Sequence, residues 1–189
     1  MAKSYRPLTI PEGVEVKLDA GRVVVKGKLG MLELVVYPGV VVQVDERQVV
    51  VEGKEGVERK FIGTMRALIR NMLGGVSSGY QKIVELRGMG YRAQKTKNGV
   101  QFSCGFSHPV DFPVPSGISI EINQVPNPED TKEQMFEIVV SGIDKQVVGD
   151  AAAHIRAIKL ADPYHGKGFR YRGEKVRKKA GKRAVGAQG

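Results

Sequence analysis

The chain repeats itself. "VERKFIGTMRALIRNML", from Val57, and "IDKQVVGDAAAHIRAIK", from Ile143, superpose when one is slid by 86 positions. Gly63 then falls on Gly149, Ala67 on Ala153, Ile69 on Ile155 and Arg70 on Arg156. Apolar residues recur at helical spacing in both: Phe61, Ile62, Met65, Leu68, Ile69 and Met72, then Val147, Val148, Ala151, Ala152, Ile155 and Ile158. Each pattern predicts one amphipathic helix with a single buried face. Upstream, a shift of 78 places Gly27 on Gly105, Leu32 on Val110, Leu34 on Phe112 and Gly39 on Gly117. It also places Val40, Val42 and Val44 on Ile118, Ile120 and Ile122. A repeat of this length constrains topology before any other feature does, because two copies of one small unit share one fold.

Within the first copy, "VEVKL", "RVVVKG", "LELVV", "VVVQV" and "QVVVEG" alternate apolar and other residues at period two, the mark of half-buried strands. Ala20-Gly21 and the polar "DERQ" read as tight turns. In the second copy Asn98-Gly99 is a hairpin signal, since both residues tolerate positive φ. The longer second shift implies extra residues, and the polar "PNPEDTKEQ", Pro126 to Gln134, is the expected inserted loop. A sheet with one apolar face buries it economically under a single helix. The expected fold is therefore α+β: two tandem similar units, each a mainly antiparallel sheet with one helix on one face, plus a basic C-terminal tail. The expected boundaries are 1–78, 79–161 and 162–189, with a short hinge near Gly74 to Gly79.

Charge separates the tail from the rest. The net charge is +10, from 30 Lys/Arg and 20 Asp/Glu. Between Tyr164 and Gly189 stand nine basic residues and one acid, Glu174, a net of +8; the remainder balances 21 against 19. A polycation on a near-neutral body is the footprint of a nucleic-acid or acidic-surface binder. No run of 18 apolar residues predicts a membrane span. The start, "MAKS", lacks the apolar stretch of a secretory signal, and the single cysteine, Cys104, fits a reducing compartment.

Catalytic readings fail on their own mechanics. "LRGMGYRA", Leu86 to Ala93, contains G-x-G-x-x-A, but a dinucleotide site needs a helix opening there, and "QKTKNGVQF" reads as a hairpin. The glycines read instead as a bend or bulge between strands. "HGKGF" lacks the earlier glycine and the Ser/Thr of a phosphate loop. Cys104 and His108 have no third orienting group and read as a packed thiol and a turn histidine. No catalytic residue, metal, cofactor or small-molecule substrate is expected.

The tail offers binding chemistry. Arg170-Tyr171-Arg172 sets a ring between two guanidinium groups, and Lys175, Arg177, Lys178, Lys179, Lys182 and Arg183 follow. On charge alone this is also a solvated, disordered tail. Against that stand Gly166-Lys167-Gly168, which lets backbone approach a phosphate beside a point charge, and the rings of Tyr164, Phe169 and Tyr171. Guanidinium groups contact phosphate in bidentate fashion and stack on bases. Folded RNA presents crowded phosphates, ribose hydroxyls and unstacked bases to such a segment. Arg87, Arg92, Lys95 and Lys97, on or beside the Gly88–Gly90 bend, are further candidate contacts or a solvated hairpin face.

"ADPYHGKGFRYRGEKVRKKAGK" resembles the C-terminal signature of the bacterial form of large-subunit ribosomal protein six. "RPLTIPEGVEVKL", "VELRGMGYRA" and "GFSHPVDFPVPSGI" resemble that family's segments in their usual order, so the likeness runs from Arg6 to Arg183. The sequence departs from the family at His165, where lysine is usual, at Phe169, usually aliphatic, and at Ala161, usually proline. The resemblance implies two tandem sheet-plus-helix units and a non-catalytic, cytoplasmic role in the ribosome. It implies large-subunit rRNA as partner, through the C-terminal unit and tail, with neighbouring ribosomal proteins and proximity to translation factors at the stalk base. Carried onto this chain, the RNA-binding positions are Tyr164, Gly166, Lys167, Gly168, Arg170, Tyr171, Arg172, Lys175, Arg177, Lys178, Lys179, Lys182 and Arg183, with His165 a weaker one. Other classes stay open: an enzyme built on the glycine bend and Cys104, a non-ribosomal nucleic-acid binder, or a module docking on acidic partners or anionic membrane.

Overall fold

The computed structural model describes residues 6–45, 47–127 and 134–179. It divides into two compact units. One runs up to Gln81 and includes Ser141–Val148; the other holds Lys82–Val140 and the chain from Gly149 onward.

The first unit contains β1 (Leu8–Thr9), β2 (Glu15–Asp19), β3 (Arg22–Gly27), β4 (Gly30–Val35), β5 (Val40–Val44), β6 (Gln48–Gly53) and α1 (Arg59–Ser78). The valine runs form strands as their alternation requires. Val23 and Val25, Val40 and Val42, and Val49 and Val51 all point into the core, while the residues between them are half-buried. Where one sheet was expected there are two antiparallel ladders, β2-β3-β4 and β1-β6-β5. The cause is the turn after β4. Val40 N–H donates to Tyr37 O at 3.0 Å, Gly39 takes φ +79°, and β5 leaves that turn to pair with β6.

Helix α1 packs on β3, β4 and β6 through Ile62, Met65, Ile69, Met72 and Val76. Each such side chain taken from water contributes about 1.5–3 kcal/mol. Phe61 departs from the expected stripe: it is 40% exposed, its ring 6.1 Å from Tyr37. The expected hinge at Gly74 to Gly79 is also corrected, because α1 runs straight through Gly74 and Gly75. A Cβ on Gly75 would lie 1.9 Å from Ile143 O, and one on Gly74 2.8 Å from Tyr80 Oη. Glycine serves close approach here, and only Gly79, at φ +74°, terminates the helix by donating its N–H to Gly75 O at 3.0 Å.

The next residue opens β7 (Tyr80–Arg87), followed by β8 (Arg92–Thr96), β9 (Gly99–Ser103), β10 (Val110–Pro113), β11 (Ile118–Pro126), β12 (Gln134–Gly142), α2 (Lys145–Ile158) and β13 (Gly168–Tyr171). The ladders repeat those of the first unit: β8-β9-β10 answers β2-β3-β4, and β11-β12-β7 answers β5-β6-β1. The expected insertion is partly strand. β11 and β12 have nine residues each, against five and six for β5 and β6, so Pro126 and Gln134 end strands. Residues 128–133 of that insertion lie outside the described residues. α2 begins with Asp144 accepting Gln146 N–H at 2.8 Å, a side-chain cap, and buries Val148, Ala151, Ala152 and Ile155.

Among the described residues β13 has no counterpart in the first unit. It pairs antiparallel with β7, setting Phe169 opposite Leu86 and Arg170 opposite Glu85. The early tail is thus part of the core, against its basic composition. Phe169 is fully buried and meets Phe102 edge-on, centroids 5.1 Å apart.

Candidate nucleic-acid interface

The tail is folded back on itself by its own acids. After α2 the Lys159 carbonyl accepts Phe169 N–H at 2.8 Å. Between them "DPYHGKG" makes a tight loop: Asp162 N–H donates to Lys167 O at 2.8 Å, and Gly166 N–H to Asp162 O at 2.7 Å. The Asp162 carboxylate accepts Tyr164 N–H at 3.1 Å, His165 N–H at 3.0 Å, and lies 2.9 Å from His165 Nδ1. Those bonds, Tyr164 N–H first and the His165 side chain next, hold the Asp162 carboxyl below its usual range. Lys179 N–H donates to Pro163 O at 3.0 Å, closing the segment into a loop.

Glu174, the single acid from Tyr164 onward, ties this loop to α2. Arg156 donates to it twice, Nη2 to Oε1 at 2.6 Å and Nε to Oε2 at 3.1 Å, and Tyr171 N–H donates to Oε2 at 2.9 Å. The Arg156 hydrogen bonds hold the Glu174 carboxyl below its usual range, and Glu174 pushes the guanidinium of Arg156 up. The Tyr171 ring lies under two cations, Arg156 at 5.5 Å and Lys82 at 5.6 Å.

The sequence-predicted residues divide into two groups. Tyr164, His165, Arg172, Lys175, Arg177, Lys178 and Lys179 are exposed along this folded segment, with Lys167 half-buried; Arg172 also lies 3.7 Å from Glu137. Gly166, Gly168, Arg170 and Arg87 face inward. Gly168, at φ +131°, is required by crowding: a Cβ there would come within 2.7 Å of Leu160 O. Arg170 donates to Gly166 O at 2.7 Å. Arg87 is gripped by Glu85 through Nη2 at 2.7 Å and Nε at 3.0 Å, and donates to Asn127 at 3.3 Å. Arg92, Lys95 and Lys97 are exposed on the β8 strand and its turn. Lys182 and Arg183 lie outside the described residues.

Sequence reasoning missed Lys82, Arg156 and Glu174 as organisers of the tail. The signal was present: one acid among nine basic residues, and an arginine shared by both helices of the repeat. The G-x-G-x-x-A stretch is a bend, with Tyr91 N–H donating to Gly88 O at 3.2 Å before β8 begins. Cys104 is buried, and burial pushes its thiol up, away from the reactive thiolate.

Together these features define a class: a duplicated α+β scaffold whose second copy gains an extra strand and a basic, acid-stapled C-terminal loop. The chain belongs to the ribosomal protein L6 family, whose model matches residues 10–79 and 87–172, one stretch per repeat. It is 46% identical over 179 residues to the large ribosomal subunit protein uL6 of Hahella chejuensis, covering 94% of this chain and 96% of that one. It is 46% identical over 173 residues to uL6 of Alkalilimnicola ehrlichii, covering 90% and 92%. The uL6 of a Cyanothece species is 43% identical over 181 residues, covering 94% and 95%.

Proposed function

We propose that the protein is a structural component of the large ribosomal subunit, acting in the cytoplasm within the ribosome. It binds rRNA through its second unit and basic tail, near the stalk base where translation factors engage, beside other ribosomal proteins. In this reading 1–78 is the first sheet-plus-helix unit, 79–161 the second, and 162–189 the basic RNA-binding tail. The exposed run Arg172 to Lys179 on a loop already folded by Asp162 and Glu174 supports it most. Cations fixed in place neutralise crowded phosphates without first losing the freedom of a mobile chain, and released counterions drive binding. Arg172, Arg177 and the lysines contact phosphate, which fixes register and reads no sequence.

The test is deletion of residues 175–189. That cut removes Lys175, Arg177, Lys178, Lys179, Lys182 and Arg183 but spares β13 and Glu174. Binding of the full chain to protein-free large-subunit rRNA is expected to lose most of its strength. Six fewer phosphate contacts should also flatten the slope of log affinity against log salt by about 4–5. Equal affinity and equal slope for the two proteins at physiological salt would sink the reading.

A further inference from the structure

Beyond the tail, the exposed large apolar residues described in the second unit are Leu160, 60% exposed just past α2, and one on each of two bends. Met89, at the tip of the Gly88–Gly90 bend, is 69% exposed, and Phe106, in the loop after β9, is 48% exposed. Lys159, just past α2, ties these bends together. Its ammonium lies 5.0 Å from the centroid of Tyr91 and 5.1 Å from that of Phe106, and donates to Cys104 O at 2.5 Å.

Backbone holds the ring pair in place. Gly88 and Gly105 sit at φ +144° and +79°; a Cβ on the first would be 2.7 Å from the Tyr91 ring, and on the second 3.0 Å from Lys159 Nζ. A side chain at either position would push the cluster apart. The surroundings are cationic. From Leu86 to Val110 the chain has no Asp or Glu, and Arg92, Lys95 and Lys97 are exposed there, while Arg87 is held by Glu85; from Ala151 to Ala161 there is again no acid, Arg156 being held by Glu174 and Lys159 lying between the rings.

An exposed ring, Phe106, beside the half-buried ring of Tyr91 and exposed cations, with no carboxylate on the contributing segments, fits a polyanion whose monomers have flat faces. An apolar protein neighbour would offer the exposed Arg92, Lys95 and Lys97 no counter-charge. The cluster is also continuous with the tail. The Lys159 carbonyl accepts the Phe169 N–H, and Leu160 bridges Phe169 in parallel fashion, so one turn of chain holds both the ring pair and β13.

We propose that Phe106 and Tyr91, bridged by Lys159, form a stacking platform for an unpaired base of the RNA strand whose phosphates the tail grips. The proposal rests on the rRNA-binding reading and deepens it: the tail supplies charge, and the platform supplies a ring face. Lys159 meets the phosphate beside the stacked base.

The test uses full-length variants and protein-free large-subunit rRNA, with affinity measured across a salt series. Phe106→Ala is expected to weaken binding about tenfold with an unchanged salt slope, because a stacked base releases no counterion. Phe106→Leu, apolar but without a ring face, should lose as much; Phe106→Trp should bind like the parent. Thermal melts equal to the parent's show that the variants are folded, as a half-exposed ring permits. Parent-like affinity for Phe106→Leu overturns the platform, even where the variant assembles poorly into subunits, since that pattern assigns the rings to a protein neighbour. Loss of affinity on deleting 175–189 alongside parent-like Phe106→Leu removes the platform alone; parent-like binding by both removes the underlying reading first.

Discussion

Glu174 and Arg156 stand 18 residues apart and meet through two hydrogen bonds, at 2.6 and 3.1 Å, joining the only acid from Tyr164 onward to the helix inherited from the repeat. The pair is about one-third exposed on each side, so solvent screens it, and a worth of about 1 kcal/mol is the right scale. Glu174→Gln keeps an oxygen for the Tyr171 N–H and removes the charge. The expected outcome is a melting temperature lower by about 2–4 °C, with faster hydrogen exchange at Tyr171 and Arg172. Exchange unchanged at those two amides would mean the clasp does not order the tail.

Acid should open the same loop. The carboxyls of Glu174 and Asp162 both sit below their usual range when folded, the first through Arg156 and the second through the Tyr164 and His165 N–H groups. A group whose folded pKa is depressed stabilises above its unfolded value and loses that contribution as pH falls through the folded one. The tail is therefore expected to stay closed at neutral pH and to open below the ordinary carboxylate value of about 4. Amide exchange or NMR shifts of Tyr164, His165 and Tyr171 followed against pH would report it. An opening centred near pH 6 instead would assign the switch to a histidine.

Much of this was legible in the sequence, and the failures have physical causes. The valines of β3, β5 and β6 announced themselves because period-two burial leaves a period-two pattern. Both helices were legible through their stripes. The end of α1 was not, because Gly74 and Gly75 look like breakers until the Tyr80 hydroxyl against the first and the Ile143 carbonyl against the second are seen. β13 was hidden because one buried apolar side chain, Phe169, stands among glycine and arginine, and four residues are too few to show a period. Burial of Arg87 and Arg170 was equally silent: Arg87 pairs with Glu85 two residues back on β7, and the cross-strand register that lays β13 on β7 leaves no mark in the sequence.

Arg87 offers a sharper stability test. Its guanidinium and Glu85 are both about nine-tenths buried or more, with Nη2 and Oε2 2.7 Å apart. Arg87→Met should leave the Glu85 carboxylate buried and uncompensated, costing about 3–5 kcal/mol in urea unfolding. Adding Glu85→Met should recover most of that loss, since removing both charges is often close to neutral. If the double variant is no more stable than Arg87→Met, the cost belongs to packing and the ion pair is incidental.

Two tail glycines separate crowding from conformation. Gly168 and Gly173 both have positive φ, +131° and +79°, but a Cβ on Gly168 meets Leu160 O at 2.7 Å whereas one on Gly173 meets nothing within 4 Å. Gly173→Ala should cost only the left-handed penalty, about 1–2 kcal/mol. Gly168→Ala should cost clearly more, because Leu160 and Ala161 must also move and β13 shifts with them. Equal losses in chemical denaturation would show that the loop yields freely at Leu160.

The last expectation reverses what the tail's composition suggests. Basic character from Tyr164 onward implies a segment removable without harm to the body, yet β13 lies inside it. Deleting 164–189 strips Phe169 from its edge-on contact with Phe102 and leaves the β7 edge at Val84 to Arg87 without its partner strand. Losing a buried Phe costs about 3–5 kcal/mol by itself, a large share of the 5–15 kcal/mol by which a domain is stable. Deleting 175–189 removes neither Phe169 nor the Glu174 clasp. Calorimetry should therefore find the shorter deletion melting with the parent, and the longer one melting far lower or without a cooperative transition. Any loss of rRNA affinity in the longer deletion then reports unfolding of the second unit, so only the cut after Glu174 isolates the charge. Should both deletions melt alike, β13 contributes nothing to the second unit's core.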